Sequence, residues 1–363
     1  MRQLGQMKKS TKNSLFTYTL VIAAFVVVQA LRMGPGVGAM LEGQLIPICA
    51  YIVMALALNL VVGVSGELSL GHAGFMSVGA FSGTLVYVVM SENAPQPLAL
   101  LLAFVVGGAV AGLFGVLVGV PVLRLSGDYL AIVTLAFGEI VKNVMNACYL
   151  GVDSHGLHFS LKDSASLNLE ADGKVLINGA MGITGIKKAS TFTIGIVLVI
   201  ITLLVILNLV NSRAGRAIKA IRDNEIAARS VGIPITKYKL MAFVTSAVFA
   251  GVAGVLYALN YSSLVAKKFD YNTSILILVF VVLGGIGNLR GSVIAAAVLT
   301  VLPELLRSMN DYRMLIYAIV LIVVMIFNQS PEMIALRKRL TARFRKEDAE
   351  GKGAKDKEKK GVA

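Results

Sequence analysis

The sequence predicts an all-α protein, a polytopic bundle of eight to ten transmembrane helices in which glycine-rich segments break some of the helices. Composition is the first observation. Of the 363 residues, 56% are hydrophobic and 15% are charged, and the mean hydropathy is +0.79, whereas about 25% of the residues of a soluble domain are charged. Long apolar runs and basic blocks beside these runs are the other two observations. Together they exclude a disordered, a fibrous and a disulfide-stapled protein.

The apolar runs give the number of spans. A transmembrane helix needs about 20 mostly apolar residues, because the hydrocarbon core is about 30 Å thick and a helix rises about 1.5 Å per residue. Two shorter runs, 275–286 and 291–306, could cross twice or form a re-entrant hairpin. The longer runs, two of which contain several polar residues, are 15–31, 45–64, 71–90, 98–123, 129–148, 191–210, 241–259 and 312–328.

Three basic blocks predict the topology. Residues 1–14 carry a net charge of +4, residues 212–240 carry +5, and residues 337–363 carry +6. Because basic loops mark the cytoplasmic side, we expect both termini and this central segment to be cytoplasmic, which requires an even number of spans.

A nucleic-acid-binding protein would carry its charge on a folded domain with a recognisable motif, so we expect no nucleic acid partner. The predicted divisions are a basic N-terminus, 1–14, a membrane domain, 15–330, and a basic tail, 331–363.

The first apolar run has a second interpretation, a signal peptide with a cleavage site at residues 37–39. The run is long for a signal peptide, and cleavage would leave an odd number of spans. We therefore expect this run to be the first transmembrane helix.

Two glycine-rich interruptions, at residues 63–83 and 283–292, occur in the two halves of the chain. Non-helical backbone at membrane depth persists only where protein or a water-filled cavity satisfies its polar groups, and paired breaks of this kind mark transport pathways. A tight packing loop between two spans is the alternative for the first interruption. The candidate pathway residues there are Glu67, Ser69, Gly71, His72 and Gly74, and those of the second are Gly284, Gly285 and Gly287.

Other polar and small residues are further candidates for a functional site or for a structural role. Glu139 lies inside an apolar run, where an ionisable side chain indicates function, but it could also pair with Lys142 one turn later. The GxxxG pairs within residues 108–119 are typical of close helix packing. His155 and His158 near Asp153 lack further ligands, so we expect no metal site. Cys49 and Cys148 are too few for a disulfide framework, and the absence of a phosphate-binding loop or catalytic motif predicts no cofactor and no catalytic residue.

The segment 211–240 contains a predicted amphipathic helix at about residues 216–231. Its apolar face includes Ile218, Ile221 and Val231, and Gly232 and Pro234 end it. Such a helix could lie on anionic lipid or dock in a groove of a soluble partner, and its mixed charges disfavour a pure lipid anchor. Its other candidate contact residues are Arg216, Arg222, Asp223 and Glu225.

Four stretches, 66–79, 127–141, 212–234 and 283–292, resemble the signature segments of permease subunits of branched-chain amino acid ABC importers, the LivM type in particular. They follow the order of that family and span nearly all of the membrane region, from about residue 45 to residue 330. Parts of the same pattern occur in the related urea and simple-sugar ABC permeases. The resemblance is therefore more specific for the family than for the solute.

The resemblance implies a membrane subunit in the bacterial inner membrane that is not itself an enzyme. It implies four kinds of partner besides membrane lipid: a homologous second permease subunit, two cytoplasmic ATPase subunits and a periplasmic or lipid-anchored substrate-binding protein. Transport would be ATP-driven alternating access, and the helix at residues 216–232 would couple the ATPases to it. The alternative is a stand-alone secondary transporter driven by an ion gradient, for which Glu139 is the clear carboxylate within a span.

Overall fold

The computed structural model describes residues 17–30, 39–91, 94–123, 129–153, 156–169, 173–306 and 312–329. The chain divides into two compact units, Met1–Glu304 and Leu305–Ala363. The predicted basic terminus, 1–14, and the basic tail, 331–363, lie outside the described residues. Their cytoplasmic location therefore stays a prediction.

The described residues are mostly helical, as the sequence predicts. Six of the described helices are long and apolar enough to cross a bilayer. The span that contains α2, Glu42–Ser65, ends with a π-helical turn, Leu60–Ser65. The helices are α1 (Thr17–Ala30), α2 (Ala39–Asn59), α3 (His72–Met90), α4 (Gln96–Val122), α5 (Tyr129–Ala147), α6 (Phe192–Asn211), α7 (Arg213–Asp223), α8 (Glu225–Ser230), α9 (Ile235–Ala258), α10 (Tyr271–Gly284), α11 (Leu289–Leu305) and, in the second unit, α12 (Arg313–Gln329).

Helices α2, α3 and α9 are the most buried of the long helices, and α4 packs against α3 and α9. The glycine stripe of α4 faces α9, where a Cβ atom added to Gly112 would lie 2.7 Å from a methyl group of Val248. Where α3 crosses α9, a Cβ atom on Gly79 would meet the backbone of Gly251. Small residues let helix backbones approach closely in a membrane, and this packing role, which the GxxxG pairs predicted, is confirmed.

Two small antiparallel sheets lie outside the helices. The strands β1 (Tyr149–Asp153), β2 (Gly156–Ser160) and β3 (Lys174–Asn178) form one sheet in the order β2-β1-β3, and β4 (Ile183–Thr184) pairs with β5 (Ser263–Leu264). No pattern in the sequence predicted these strands, most of which lie between α5 and α6. Pairing of β4 with β5 keeps the chain before α6 and the chain after α9 on one side, as expected if both helices cross the membrane.

A tight turn at the second glycine-rich interruption joins α10 to α11. With 14 residues, α10 is about 21 Å long, less than the roughly 30 Å of the hydrocarbon core. The turn contains Gly285 at φ 92°, in the left-handed region that favours glycine. A Cβ atom on Gly291 would meet the carbonyl oxygen of Gly284. The end of α10 is therefore in direct contact with the first turn of α11.

The segment 211–240 corrects one expectation. The sequence predicted one amphipathic helix over about 216–231, whereas the structure has two helices, α7 and α8, separated at Asn224. Asn224 adopts an extended conformation, and its side-chain oxygen accepts a hydrogen bond from the N–H of Ala227 at 3.0 Å. Asparagine favours such a cap over a helix interior, which explains the break. The predicted stop is confirmed, since α8 ends at Ser230, just before Gly232.

Candidate functional site

The first interruption brings the start of α3 to the middle of the bundle. After the π-helical turn, residues 66–71 are not helical, and α3 begins at His72. The His72 side chain contacts Ser246, the twelfth residue of α9, about 16 Å along that helix from its first residue. The non-helical segment therefore runs back from the end of α2. As a result, α3 begins beside the middle of α9.

A chain of buried hydrogen bonds holds this helix start. The hydroxyl of Ser246 donates to the carbonyl oxygen of Ala57 at 2.5 Å, so its oxygen is left to accept from Nε2 of His72 at 2.6 Å. The other nitrogen, Nδ1, then accepts from the hydroxyl of Ser69 at 3.1 Å. A neutral imidazole has one donor and one acceptor, and this pattern uses both. His72 thus joins α3 to α2 and α9.

The glycines of this segment are sites of close approach to α5. A Cβ atom on Gly71 would fall on the carbonyl oxygen of Thr134, and one on Gly74 would lie 2.8 Å from the Cα atom of Gly138. The N–H of Leu70 donates to Thr134 Oγ1 at 3.1 Å. Ser69, Gly71, His72 and Gly74 are all buried.

The second interruption meets the end of α2 rather than the start of α3. Asn59 donates from Nδ2 to Ser292 Oγ at 2.7 Å, and its Oδ1 accepts from the N–H of Gly287 at 2.8 Å. A Cβ atom on Gly63 would lie 2.7 Å from the Cα atom of Gly287. The structure therefore brings the two interruptions together at Gly63 and Gly287, with Gly284 and Gly285 at the adjoining end of α10.

Glu139 has two partners, which the sequence could not show together. It forms an ion pair with Lys142, and its Oε1 accepts a hydrogen bond from the N–H of Tyr271 at 3.2 Å. Tyr271 is the first residue of α10, so the carboxylate lies at the positive end of that helix. These contacts give Glu139 a role in joining α5 to α10.

Glu67 belongs to a cluster of charges at the start of α9. Lys239 contacts Glu67 at 2.5 Å and Glu225 at 2.9 Å, and Arg229 contacts Glu225 at 3.1 Å. The hydrogen bond from Lys239, assisted by the charges of Lys239 and Arg229, holds the pKa of Glu225 below its ordinary value. On α7, Arg222 pairs with Asp223 and donates to the carbonyl oxygen of Gly63 at 2.9 Å.

The apolar face of α7 corrects a second expectation. Ile218 and Ile221 are 1% and 3% exposed, because α7 lies against α6, the π-helical turn and α9. They are part of the core of this chain and cannot enter a groove on a partner. The exposed apolar side chains of the segment are Ile226 and Val231, at 81% and 75%. Arg216 is also exposed, and Gly232 follows α8.

Sequence reasoning missed the buried polar partners of the site. Asn59, Thr134 and Ser246 are single polar residues on the buried faces of apolar helices, and a polar residue inside a span is a signal that could have found them. Lys239 was counted among the basic residues of its block, without a partner. In the part of the chain that the structure describes, no three His, Cys, Asp or Glu side chains form a metal-binding group; His158 pairs with Asp153 at 3.0 Å, and His155 lies outside the described residues.

Comparison with known proteins gives the family. A family profile described as "Branched-chain amino acid transport system / permease component" matches residues 40–325. The high-affinity branched-chain amino acid transport system permease protein LivM of Salmonella typhimurium is 37% identical over 289 residues, and that of Escherichia coli is 36% identical over 287 residues. Each alignment covers 76% of this chain and 66% of the relative, so the chain spans just under two thirds of these relatives.

A more distant relative is named for a different solute. The fructose import permease protein FruG of Bifidobacterium longum is 27% identical over 126 residues, which cover 33% of this chain and 37% of that protein. The family profile, by contrast, covers the first interruption, the charged cluster and the turn between α10 and α11 in one match. The chain belongs to the family of permease components of branched-chain amino acid transport systems.

Proposed function

We propose that this chain is the membrane-spanning permease subunit of an ABC importer that carries branched-chain amino acids, or a similar small polar solute, by ATP-driven alternating access. The observation that carries the proposal is the interrupted passage from α2 to α3. It ends at half the length of α9 in a buried polar network around His72, where a transport pathway would place its binding groups. The solute is taken from the names of the relatives.

Burial of the interruption supports alternating access. Ser69, Gly71, His72 and Gly74 are buried against α5 and α9, so a solute reaches them only when α3 separates from one of these helices. The second interruption, at Gly284, Gly285 and Gly287, would form the other side of the route. Its contacts with Asn59 and Gly63 join the two sides at the end of α2.

The cytoplasmic segment supports the proposed coupling to ATPase subunits. Because Ile218 and Ile221 anchor α7 within the chain, the docking surface is reassigned to α8, with Ile226 and Val231 as exposed apolar anchors. Buried apolar anchors supply most of the energy of such contacts, while charges at the rim mainly orient them. The other proposed partners are a homologous second permease subunit and a periplasmic or lipid-anchored substrate-binding protein.

The contacts of Glu139 disfavour the alternative of an ion-coupled secondary transporter. A coupling carboxylate must take up and release an ion during the transport cycle, whereas Glu139 is paired with Lys142 and caps α10. The ATPase-dependent mechanism needs no such group in this chain. We therefore place ATP hydrolysis in separate subunits and assign this chain no catalytic residue.

The proposed location is the bacterial inner membrane, with both termini and α7–α8 in the cytoplasm. Arg229→Cys, in a chain whose two buried cysteines, Cys49 and Cys148, are replaced by serine, tests the placement of α8. A membrane-impermeant maleimide should label it in inverted vesicles and not in intact spheroplasts. Labelling in spheroplasts would overturn the topology, and a cysteine added after Ala363 tests the C-terminus in the same way.

Uptake by cells tests the solute class. Cells that express the chain with its partner subunits should accumulate radiolabelled leucine, and excess isoleucine or valine should compete while urea and fructose should not. Competition by urea or fructose alone would overturn the assignment to branched-chain amino acids. Gly43→Ala is a suitable control, because an added methyl group meets nothing within 4 Å at that position.

A further inference from the structure

Lys239 joins two elements that are far apart in the sequence. It lies in the second turn of α9, and its ammonium group contacts Oε1 of Glu67 at 2.5 Å and Oε2 of Glu225 at 2.9 Å. Glu67 belongs to the non-helical segment 66–71, whereas Glu225 is the first residue of α8. An ammonium group has three donors, so one lysine serves both carboxylates at once.

The inner half of this bridge is shielded from water. The side chains of Lys239 and Glu67 are 12% and 15% exposed, while that of Glu225 is 42% exposed. A fully exposed ion pair is screened by salt and holds its geometry weakly, whereas breaking a shielded pair leaves a charge without its partner. The lowered pKa of Glu225 agrees with a carboxylate that stays ionised at the outer end of the bridge.

Glu67 connects its ion pair with Lys239 to the start of α3. Its N–H donates to the carbonyl oxygen of Val61 at 3.1 Å, which fixes it to the π-helical turn. Two residues later, the hydroxyl of Ser69 donates to Nδ1 of His72 at 3.1 Å. A displacement of α8 relative to α9 therefore acts on the segment before α3 through side chains, in addition to the covalent chain.

We propose that Lys239 is a positioning residue that transmits the movement of α8 to residues 66–71, so that the ion pairs with Glu225 and Glu67 link the cytoplasmic surface to the interruption. This linkage rests on the proposed function, because α8 moves only if a partner moves it. A parallel contact, from Arg222 to the carbonyl oxygen of Gly63 at 2.9 Å, ends on the π-helical turn. A Cβ atom on Gly66 would lie 2.5 Å from Cγ of Arg222, so this side chain links α7, rather than α8, to the first residue of the non-helical segment.

The ratio of transport to hydrolysis tests the linkage. The complete importer, with its second permease, ATPases and binding protein, is reconstituted in proteoliposomes, and leucine uptake and ATP hydrolysis are measured in the same vesicles. In Lys239→Met, we expect the uptake per ATP hydrolysed to fall about 10-fold, while ATP hydrolysis persists. A merely structural role would lower uptake and hydrolysis together.

Two further variants and a control distinguish the loss of the ion pairs of Lys239 from the loss of one positive charge on the protein. Lys239→Arg should keep most of the wild-type ratio of uptake to ATP hydrolysis, because a guanidinium also has donors for two carboxylates. Glu67→Gln removes one charge at nearly constant volume and should lower the ratio as Lys239→Met does. Glu67→Gln also tests the linkage if the Lys239→Met variant fails to assemble. Lys237→Met removes the same charge from an exposed position two residues earlier and should leave the ratio unchanged.

The possible failures are distinguishable. If the wild-type importer shows no ATP-dependent uptake, both the proposed function and the linkage are overturned. If the wild type is active and Lys239→Met and Glu67→Gln keep its ratio, the linkage alone is overturned. The same conclusion follows if Lys239→Arg behaves as Lys239→Met does, because charge would then be irrelevant.

Discussion

Replacing Ile226 should weaken the binding of the ATPase subunits without destabilising the permease. The side chain is 81% exposed, so it contributes little to folding, and surface substitutions change the unfolding free energy by about 0.5 kcal/mol or less. Burying an isoleucine contributes about 1.5–3 kcal/mol, of which about 1–2 kcal/mol is lost in Ile226→Ala. That loss raises the Kd by about 5–30-fold. Ile226→Asp should do more, because a carboxylate would enter an apolar groove.

The matched comparison is Ile221, which lies on α7, five residues earlier in the chain, and is 3% exposed. Ile221→Ala removes buried methyl groups and should cost about 2–5 kcal/mol of permease stability. The assay is a titration of purified permease in nanodiscs with the ATPase subunits, accompanied by thermal unfolding of the permease alone. Normal ATPase binding by Ile226→Asp would refute the assignment of the docking surface to α8. Unchanged stability of Ile221→Ala would refute the placement of α7 in the core.

Three further predictions concern the site. Gly71→Ala should lower the thermal stability of the permease and abolish uptake, because its Cβ atom would fall on the carbonyl oxygen of Thr134; unchanged uptake would contradict the close approach of α3 and α5. Asn59→Leu should cost about 1–3 kcal/mol for each buried partner left unsatisfied, as measured by chemical unfolding in detergent, and a neutral result would mean that Asn59 does not hold the turn between α10 and α11. For Glu225, whose folded pKa lies below the ordinary 4.5, the stabilising contribution is complete above about pH 4.5 and is lost as the pH falls through the lower folded pKa. The stability difference between wild type and Glu225→Gln should therefore be constant from pH 8 to pH 5.5 and shrink only below about pH 4.5, and a change near pH 7 would contradict the ion pair.

Hydropathy predicts most of the long helices, because burial in lipid depends on composition over a window of residues. The predicted runs 45–64 and 98–123 differ by a few residues from the spans Glu42–Ser65 and Gln96–Val122. The error is larger for the run 241–259, since α9 begins at Ile235. Its first turns contain Lys237 and Lys239, which a search for apolar residues excludes although the helix continues through them.

The details of the site depend on contacts that sequence patterns do not encode. Periodicity identified Ile221 as part of an apolar face, but it could not tell whether that face meets a partner or the chain itself. Glycine content marked the interruption around Gly71, because close backbone approach selects glycine. The partners of His72 and Glu67 are Ser246 and Lys239, more than 170 positions away in the chain, and only the packing of α9 brings them together.

The proposed function requires that this chain forms the translocation pathway of an ATP-driven importer. The most direct test is leucine uptake by proteoliposomes that contain the complete complex, with ATP in the lumen beside the ATPases and the binding protein outside. Uptake should require ATP hydrolysis and should persist when ionophores dissipate the proton and sodium gradients. Uptake by this chain without the ATPases, driven by an imposed ion gradient and abolished by the ionophores, would contradict the claim.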